Sequence, residues 1–200
     1  MSQPSHEEGF VKPKLHHVNL KTARLKEMMD WYRRVVGLEV THLAKEGAWL
    51  SNDAANHRLA LLSVPVLVDD PVRERHAGMH HTAYEFATFA DLMDTFARLR
   101  EIDILPSFCL DHGMTTSMYY RDPDGNFVEL QTDNFGDWSA SKSYMRLSPD
   151  FAANPIGKFF DPARVYDEYK AGRSFDDLHR AMMAGQFQPN PIPSIGLPPP

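Results

Sequence analysis

The 200-residue chain has a single cysteine, Cys109, so it can form no intramolecular disulfide and no zinc site built on paired thiolates. Cys109 lies between Phe108 and Leu110, where packing is its expected role. No run of residues approaches the roughly 18 apolar positions that a membrane span requires. The first ten residues, MSQPSHEEGF, are polar and acidic and lack the apolar stretch of a secretory leader, so a cytoplasmic location is expected. Lys and Arg are not clustered, and the formal charge is −6. That combination argues against nucleic acid or an anionic membrane surface as partner. A small neutral or metal-held ligand fits better, and nothing in the charge opposes a homo-oligomer.

What the chain does have is 42% apolar residues, 24% charged residues and ten histidines. These proportions describe a globular protein with one good core or two fused smaller modules. Four of the histidines form two adjacent pairs, in LHHVNLK and MHHTAYEF, both of which read as β-strands.

The surroundings of the pairs repeat. After the first, Leu25, Met28, Met29, Tyr32, Val35 and Val36 recur at helical spacing, with Thr22 as the expected cap and Gly37 as the expected end. Three β-rich runs follow: LEVTHL, GAWLS and HRLALLSVPVL. After the second pair, Phe89, Leu92, Met93, Phe96 and Leu99 mark another helical face, followed by IDILPSF, TTSMYYR and NFVELQT. The expected fold is α+β: two tandem β-α-β-β-β modules whose sheets pack around a shared, open, barrel-like cleft. The expected boundaries are an N-terminal arm over 1–14, modules over 15–64 and 79–132, a linker over 65–78 and an extension over 133–200. In the extension, residues 133–161 show no clear period and are expected to wrap the surface. Two helices are expected beyond them: one capped by Asp161 with Pro162 in its first turn and ended by Gly172, the other with Ser174 and Asp177 at capping-box spacing. The proline-rich end is expected to be extended.

Strand side chains alternate between faces. His17 shares a face with Asn19 and Lys21, while His16 goes with Val18 and Leu20 toward the helices. By the same alternation His81 parts from His80, Tyr84 and Phe86, and Glu129 parts from Val128 and Leu130. His17, His81 and Glu129 are thus expected to face one cleft, and two imidazoles with one carboxylate make the ligand set of a non-haem Fe(II) site. Mn(II) accepts the same set.

HHVNL, the segment from Trp31-Tyr32 to GLEV, and YYRDPDGNFVEL resemble the paired modules of the vicinal oxygen chelate superfamily, which includes glyoxalases, bleomycin resistance proteins and dioxygenases. Within it the chain resembles the small single-domain extradiol dioxygenases of the biphenyl-2,3-diol 1,2-dioxygenase type. That resemblance implies an Fe(II)-dependent enzyme that opens catechol-type rings with O2, giving a muconic semialdehyde-type product. It also implies His57, in NHRLAL, as the acid/base histidine and Tyr119, ten residues before Glu129, as a neighbour of the bound diol. His112 lies near a further active-site histidine of that group. The alternatives are a core histidine at position 57, cleft packing at Tyr119 and a solvent-exposed loop histidine at position 112. Trp138, Phe151, Phe159 and Phe160 could roof the cleft or form a subunit interface. Rival functions within the superfamily are an epoxide-opening antibiotic transferase, an epimerase or a non-catalytic small-molecule binder. A glyoxalase reading is disfavoured, since its fourth ligand, a carboxylate, is missing from the last strand of the first module.

Overall fold

A computed structural model describes residues 11–198; residues 1–10 of the expected N-terminal arm, and with them the polar stretch expected not to be a leader, lie outside the described residues. Two separate sheets carry the fold. The first is built from β1 (Val18–Thr22), β2 (Glu39–Ala44), β3 (Gly47–Ser51) and β4 (Leu59–Ser63), in the order β1-β4-β3-β2. The second takes β5 (His81–Phe86), β6 (Phe108–Asp111), β7 (Thr115–Arg121), β8 (Phe127–Asp133) and β9 (Lys158–Phe159), in the order β5-β8-β7-β6-β9. The internal repeat is exact in topology. β1 runs parallel to β4 with Val18 opposite Leu59, and β5 runs parallel to β8 with His81 opposite Phe127. Each parallel pair is reached through a crossover helix, α1 (Leu25–Val35) or α2 (Phe89–Arg100). The two sheets do not close into one barrel.

The helices form where the apolar stripe lies. Phe89, Leu92, Met93, Phe96 and Leu99 of α2 are all buried, and burial of each such side chain contributes about 2 kcal/mol as an upper estimate. Thr88 starts α2 by accepting from the Asp91 backbone N–H. In α1, Met28, Trp31, Tyr32 and Val35 are buried, but the cap differs from expectation. Arg24 is the N-cap residue, and Thr22 Oγ1 instead accepts from the Arg24 N–H at 2.8 Å, forming the turn before the helix. Gly37, at φ +74°, supplies the left-handed residue that ends it.

The DPDG turn joins the two halves. Asp122 Oδ1 accepts from the backbone N–H groups of Asp124 and Asn126 at 3.0 and 2.9 Å, and its Oδ2 accepts from the Tyr32 hydroxyl at 3.1 Å. Asp124 pairs with Arg24 at 2.8 Å. Both contacts reach from the second sheet to α1.

Residues 133–161 are more ordered than their composition indicates. They form α3 (Trp138–Leu147), α4 (Pro149–Ala153) and β9, which extends the second sheet beside β6. Asp137 and Ser148 cap the two helices, and Phe160, 1% exposed, enters the core. Beyond them α5 (Pro162–Lys170) starts at the Asp161 cap and α6 (Phe175–Met183) at the Ser174 cap, as expected. α6 is locked to the second sheet by His179, whose Nδ1 lies 2.7 Å from the fully buried carboxylate of Asp111. Cys109 is buried in the core. No helix among the described residues is long and apolar enough to cross a membrane.

Candidate metal centre and active site

The parallel pairing of β5 and β8 brings His81 and Glu129 together. Ala83 stands opposite Glu129, so His81 and Glu129 lie diagonally across the pair on one face, while Tyr84, Val128 and Leu130 turn to the core. His81 Nε2 lies 3.1 Å from Glu129 Oε2. The other carboxylate oxygen, Oε1, accepts from the Tyr119 hydroxyl at 2.9 Å. Tyr119 stands directly opposite Glu129 on β7 and stacks on Phe108, with ring centroids 4.3 Å apart. His112, in the turn between β6 and β7, completes the row with Nε2 2.9 Å from the Tyr119 hydroxyl.

The electrostatics follow from burial and partners. Burial pushes the Glu129 carboxyl up, but hydrogen bonds from His81, Ser117 and Tyr119 outweigh it and hold the group below its ordinary value. Glu129 is therefore an anion at neutral pH although it is 5% exposed. Burial raises the Tyr119 phenol, and the neighbouring Glu129 charge raises it further, so Tyr119 remains a hydrogen-bond donor. Burial lowers His112 against the opposing pull of Glu129. His112 is not a solvent histidine; it is a largely buried neighbour of Tyr119.

His17 is placed differently. It immediately precedes β1, and its ring lies 4.3 Å from that of His57, with His16 completing a group whose ligand atoms all lie within 4.8 Å of one another. His17, His81 and Glu129 do not converge within that span. His17 and His81 nevertheless line one cavity of about 670 Å³, between the β1 edge of the first sheet and the β5 edge of the second. His57 precedes β4 and stays out of the core that holds Leu59 and Leu61. Burial first, then His17 and His16, lower its pKa, which keeps its imidazole neutral at pH 7. Arg58 holds this corner: it pairs with Asp53 at 2.8 Å and donates to the His16 carbonyl at 2.9 Å.

The histidine pairs are not explained by strand alternation. β1 starts at Val18 and β5 at His81, so His16, His17 and His80 lie outside the strands. Each leans on its neighbour, His16 Nδ1 lying 3.0 Å from His17 Nδ1 and His80 Nδ1 2.9 Å from His81 Nδ1.

His81, His112, Tyr119 and Glu129 also open on a second cavity of about 430 Å³, within the size range of small-molecule sites. Its far wall comes from α3, which contributes Trp138 and Met145. Trp138 is held there by its indole N–H, 2.9 Å from a Glu85 carboxylate oxygen. Of the aromatic residues expected to roof the cleft or form an interface, Trp138 lines this wall; Met145 beside it was not singled out from the sequence. Phe159 packs on Phe108, Leu110, Tyr119 and Phe127 behind the site, and Phe151 packs against Tyr144.

The donor set fits a divalent metal. Two ligand bonds of about 2.1 Å span a separation like that of His81 Nε2 and Glu129 Oε2. Tyr119 occupies the opposite carboxylate oxygen and leaves Oε2 for a cation. Imidazole and carboxylate suit iron and manganese.

Comparison with known proteins places the chain. It is 40% identical over 186 residues to biphenyl-2,3-diol 1,2-dioxygenase 2 of Rhodococcus globerulus, covering 92% of this chain and 97% of that one. It is 40% identical over 162 residues to biphenyl-2,3-diol 1,2-dioxygenase 3 of the same organism, covering 81% and 85%. A glyoxylase/bleomycin resistance protein/dioxygenase domain from Frankia sp. EAN1pec shares the fold with a TM-score of 0.51 at 16% identity, over 62% of this chain and 93% of that one. Residues 14–130 match the sequence model of one family, and with these relatives they establish that the chain belongs to the Glyoxalase/Bleomycin resistance protein/Dioxygenase superfamily.

Proposed function

We propose that the protein is an Fe(II)-dependent extradiol dioxygenase that opens catechol-type aromatic diols with O2 to a muconic semialdehyde-type product. The observation that carries this reading is the row His81, Glu129, Tyr119, His112, linked at 2.9–3.1 Å and facing a cavity roofed by Trp138. The 40% identity to biphenyl-2,3-diol 1,2-dioxygenases over most of both chains supports it. β4, LALLS, offers no carboxylate for the ligand set of a glyoxalase.

His81 and Glu129 would hold the metal, Fe(II) in preference to Mn(II), and His17, which lines a cavity with His81 but stands apart from that pair, would have to move toward them to supply the third ligand. Bound there, the metal would hold diol and O2 side by side and carry electrons between them. The chain's own residues do the rest. Tyr119, its hydrogen held by Glu129 Oε1, presents its hydroxyl oxygen to the diol. His57, neutral at pH 7, accepts a proton from the diol at a ring nitrogen and returns it later in the reaction. His112 sets the position of the Tyr119 hydroxyl. Trp138 and Met145 stack against the ring and exclude water from that side.

The test is oxygen uptake by anaerobically Fe(II)-loaded protein given 2,3-dihydroxybiphenyl or simple catechols. Uptake with a yellow ring-opened product, abolished in His17→Ala, is expected. Metal binding without uptake on any diol would overturn the dioxygenase reading in favour of a transferase, epimerase or binding role.

A further inference from the structure

We propose that the C-terminal tail selects the nitrogen of His81 that faces the metal: the Ile195 carbonyl, acting through His80, holds His81 with its proton on Nδ1 and leaves Nε2 to ligate. The proposal rests on the reading of His81 as a metal ligand. His80 and Ile195 are positioning residues, 115 positions apart in sequence.

Hydrogen-bond direction fixes the two tautomers. His80 Nε2 lies 2.8 Å from the Ile195 carbonyl oxygen. A carbonyl only accepts, so His80 Nε2 carries a hydrogen. A neutral imidazole carries one, which makes His80 Nδ1 an acceptor. His80 Nδ1 lies 2.9 Å from His81 Nδ1, so His81 Nδ1 is the donor. The nitrogen left without that constraint is His81 Nε2, 3.1 Å from Glu129 Oε2, and the hydrogen it donates to the carboxylate is the one a metal would replace. Histidines that bind metals commonly have the second ring nitrogen engaged in this way, which fixes both tautomer and ring orientation. Here the outer partner is a second histidine, itself oriented by main chain from the far end of the protein.

The relay is held on several sides. The His80 ring stacks on Phe127, with centroids 5.2 Å apart and planes 29° from parallel. Arg121 covers Phe127, its guanidinium carbon 3.9 Å from the ring centroid. Ile195 packs on the cluster of Phe108, Leu110, Tyr119 and Phe127, so the tail is seated on side chains that also back Tyr119. Gly196, at φ +73°, lies so close that a Cβ there would clash with the Phe127 ring. Only glycine lets the tail approach this closely. The proline-rich end is thus a strap that ends on the metal ligand's neighbour.

The experiment reads tautomers directly, from ring nitrogen-15 spectra of the full chain labelled at histidine, metal-free and with diamagnetic Zn(II). The expected pattern is hydrogen on Nε2 of His80 and on Nδ1 of His81, with the Nδ1 signal shifting in a chain that ends at Pro193. Fe(II) affinity is then measured for His80→Phe, which keeps the stacking and removes the acceptor, and for His80→Gln, which can both accept and donate. We expect His80→Phe to bind roughly 10- to 100-fold more weakly and His80→Gln to recover most of the loss. Truncation on top of His80→Phe should add nothing further. A His80 with its hydrogen on Nδ1, or His80→Phe with unchanged Fe(II) affinity, would overturn the proposal. Failure of the unsubstituted protein to bind Fe(II) would count against the dioxygenase reading, and the metal-free spectra would still decide the relay.

Discussion

The Tyr119 hydroxyl lies 2.9 Å from Glu129 Oε1 and 2.9 Å from His112 Nε2, so one phenolic hydrogen stands between an anion and an imidazole. Because Glu129 is held ionised, the hydrogen goes to the carboxylate, and the hydroxyl oxygen remains as an acceptor. Tyr119→Phe removes this link without opening a cavity. Steady-state kinetics should show turnover slowed by about 100-fold, while iron content per chain stays that of the unsubstituted protein. Loss of iron in Tyr119→Phe would instead make Tyr119 a structural support of the ligand set.

Replacement of a proposed metal ligand has the opposite signature. Glu129→Ala and His81→Ala should each weaken Fe(II) binding by more than about 100-fold, measured as metal retained after equilibrium dialysis. Both variants should keep the far-ultraviolet circular dichroism of the parent, because their side chains face the cleft and the larger core lies on the other side of the sheet.

Trp138 is 73% exposed and tied to Glu85, a wall residue held from one side. Trp138→Ala should raise KM for a two-ring diol by about tenfold, as expected for lost aromatic contact, and leave KM for unsubstituted catechol within about twofold. Equal effects on both substrates would remove Trp138 from substrate recognition.

Asp53 carries a pH dependence that can be read apart from the metal. Its hydrogen bond to Arg58, followed by that to the Ala55 N–H, holds the carboxyl down at about 2. A depressed carboxyl stabilises the fold above its unfolded value near 3.9 and loses that effect as pH falls through the folded value. The difference in urea midpoint between the parent and Asp53→Asn should be constant from pH 7 to 5 and shrink as pH falls from 4 toward 2. A difference that stays constant down to pH 2 would show that the pair with Arg58 does not hold the corner carrying His16.

Asp122 is 4% exposed and satisfies two backbone donors and the fully buried Tyr32 hydroxyl. Asp122→Ala strands these groups, at a cost of about 3 kcal/mol. In a chain of this size that corresponds to a fall in Tm of about 10 °C. Tyr32→Phe, which removes one hydroxyl and leaves Asp122 its other partners, should cost about 1 kcal/mol.

Local periodicity carried much of this architecture. The α2 stripe is buried residue for residue, and the alternation that put Glu129 opposite Val128 and Leu130 holds in β8. The duplication was legible because both modules use the same order of elements. Alternation does not govern His16, His17 or His80, because it applies only to residues inside strands and all three precede them. Their positions depend on contacts from afar: Arg58 on the His16 carbonyl and Ile195 on His80. The same holds for β9 and α3, which are short and take their place from β6 and from Glu85. The separation of His17 from the His81–Glu129 pair is likewise a matter of how two sheet edges meet, which no pattern within either strand encodes.

The most direct test of ring cleavage is the mass of the product formed from 2,3-dihydroxybiphenyl under oxygen-18 gas by the Fe(II)-loaded protein. The predicted result is a single ring-opened product with every carbon of the diol retained and both oxygen-18 atoms incorporated, less any exchange of the product carbonyl with water. Recovery of unlabelled diol under conditions where the protein holds its iron would contradict it.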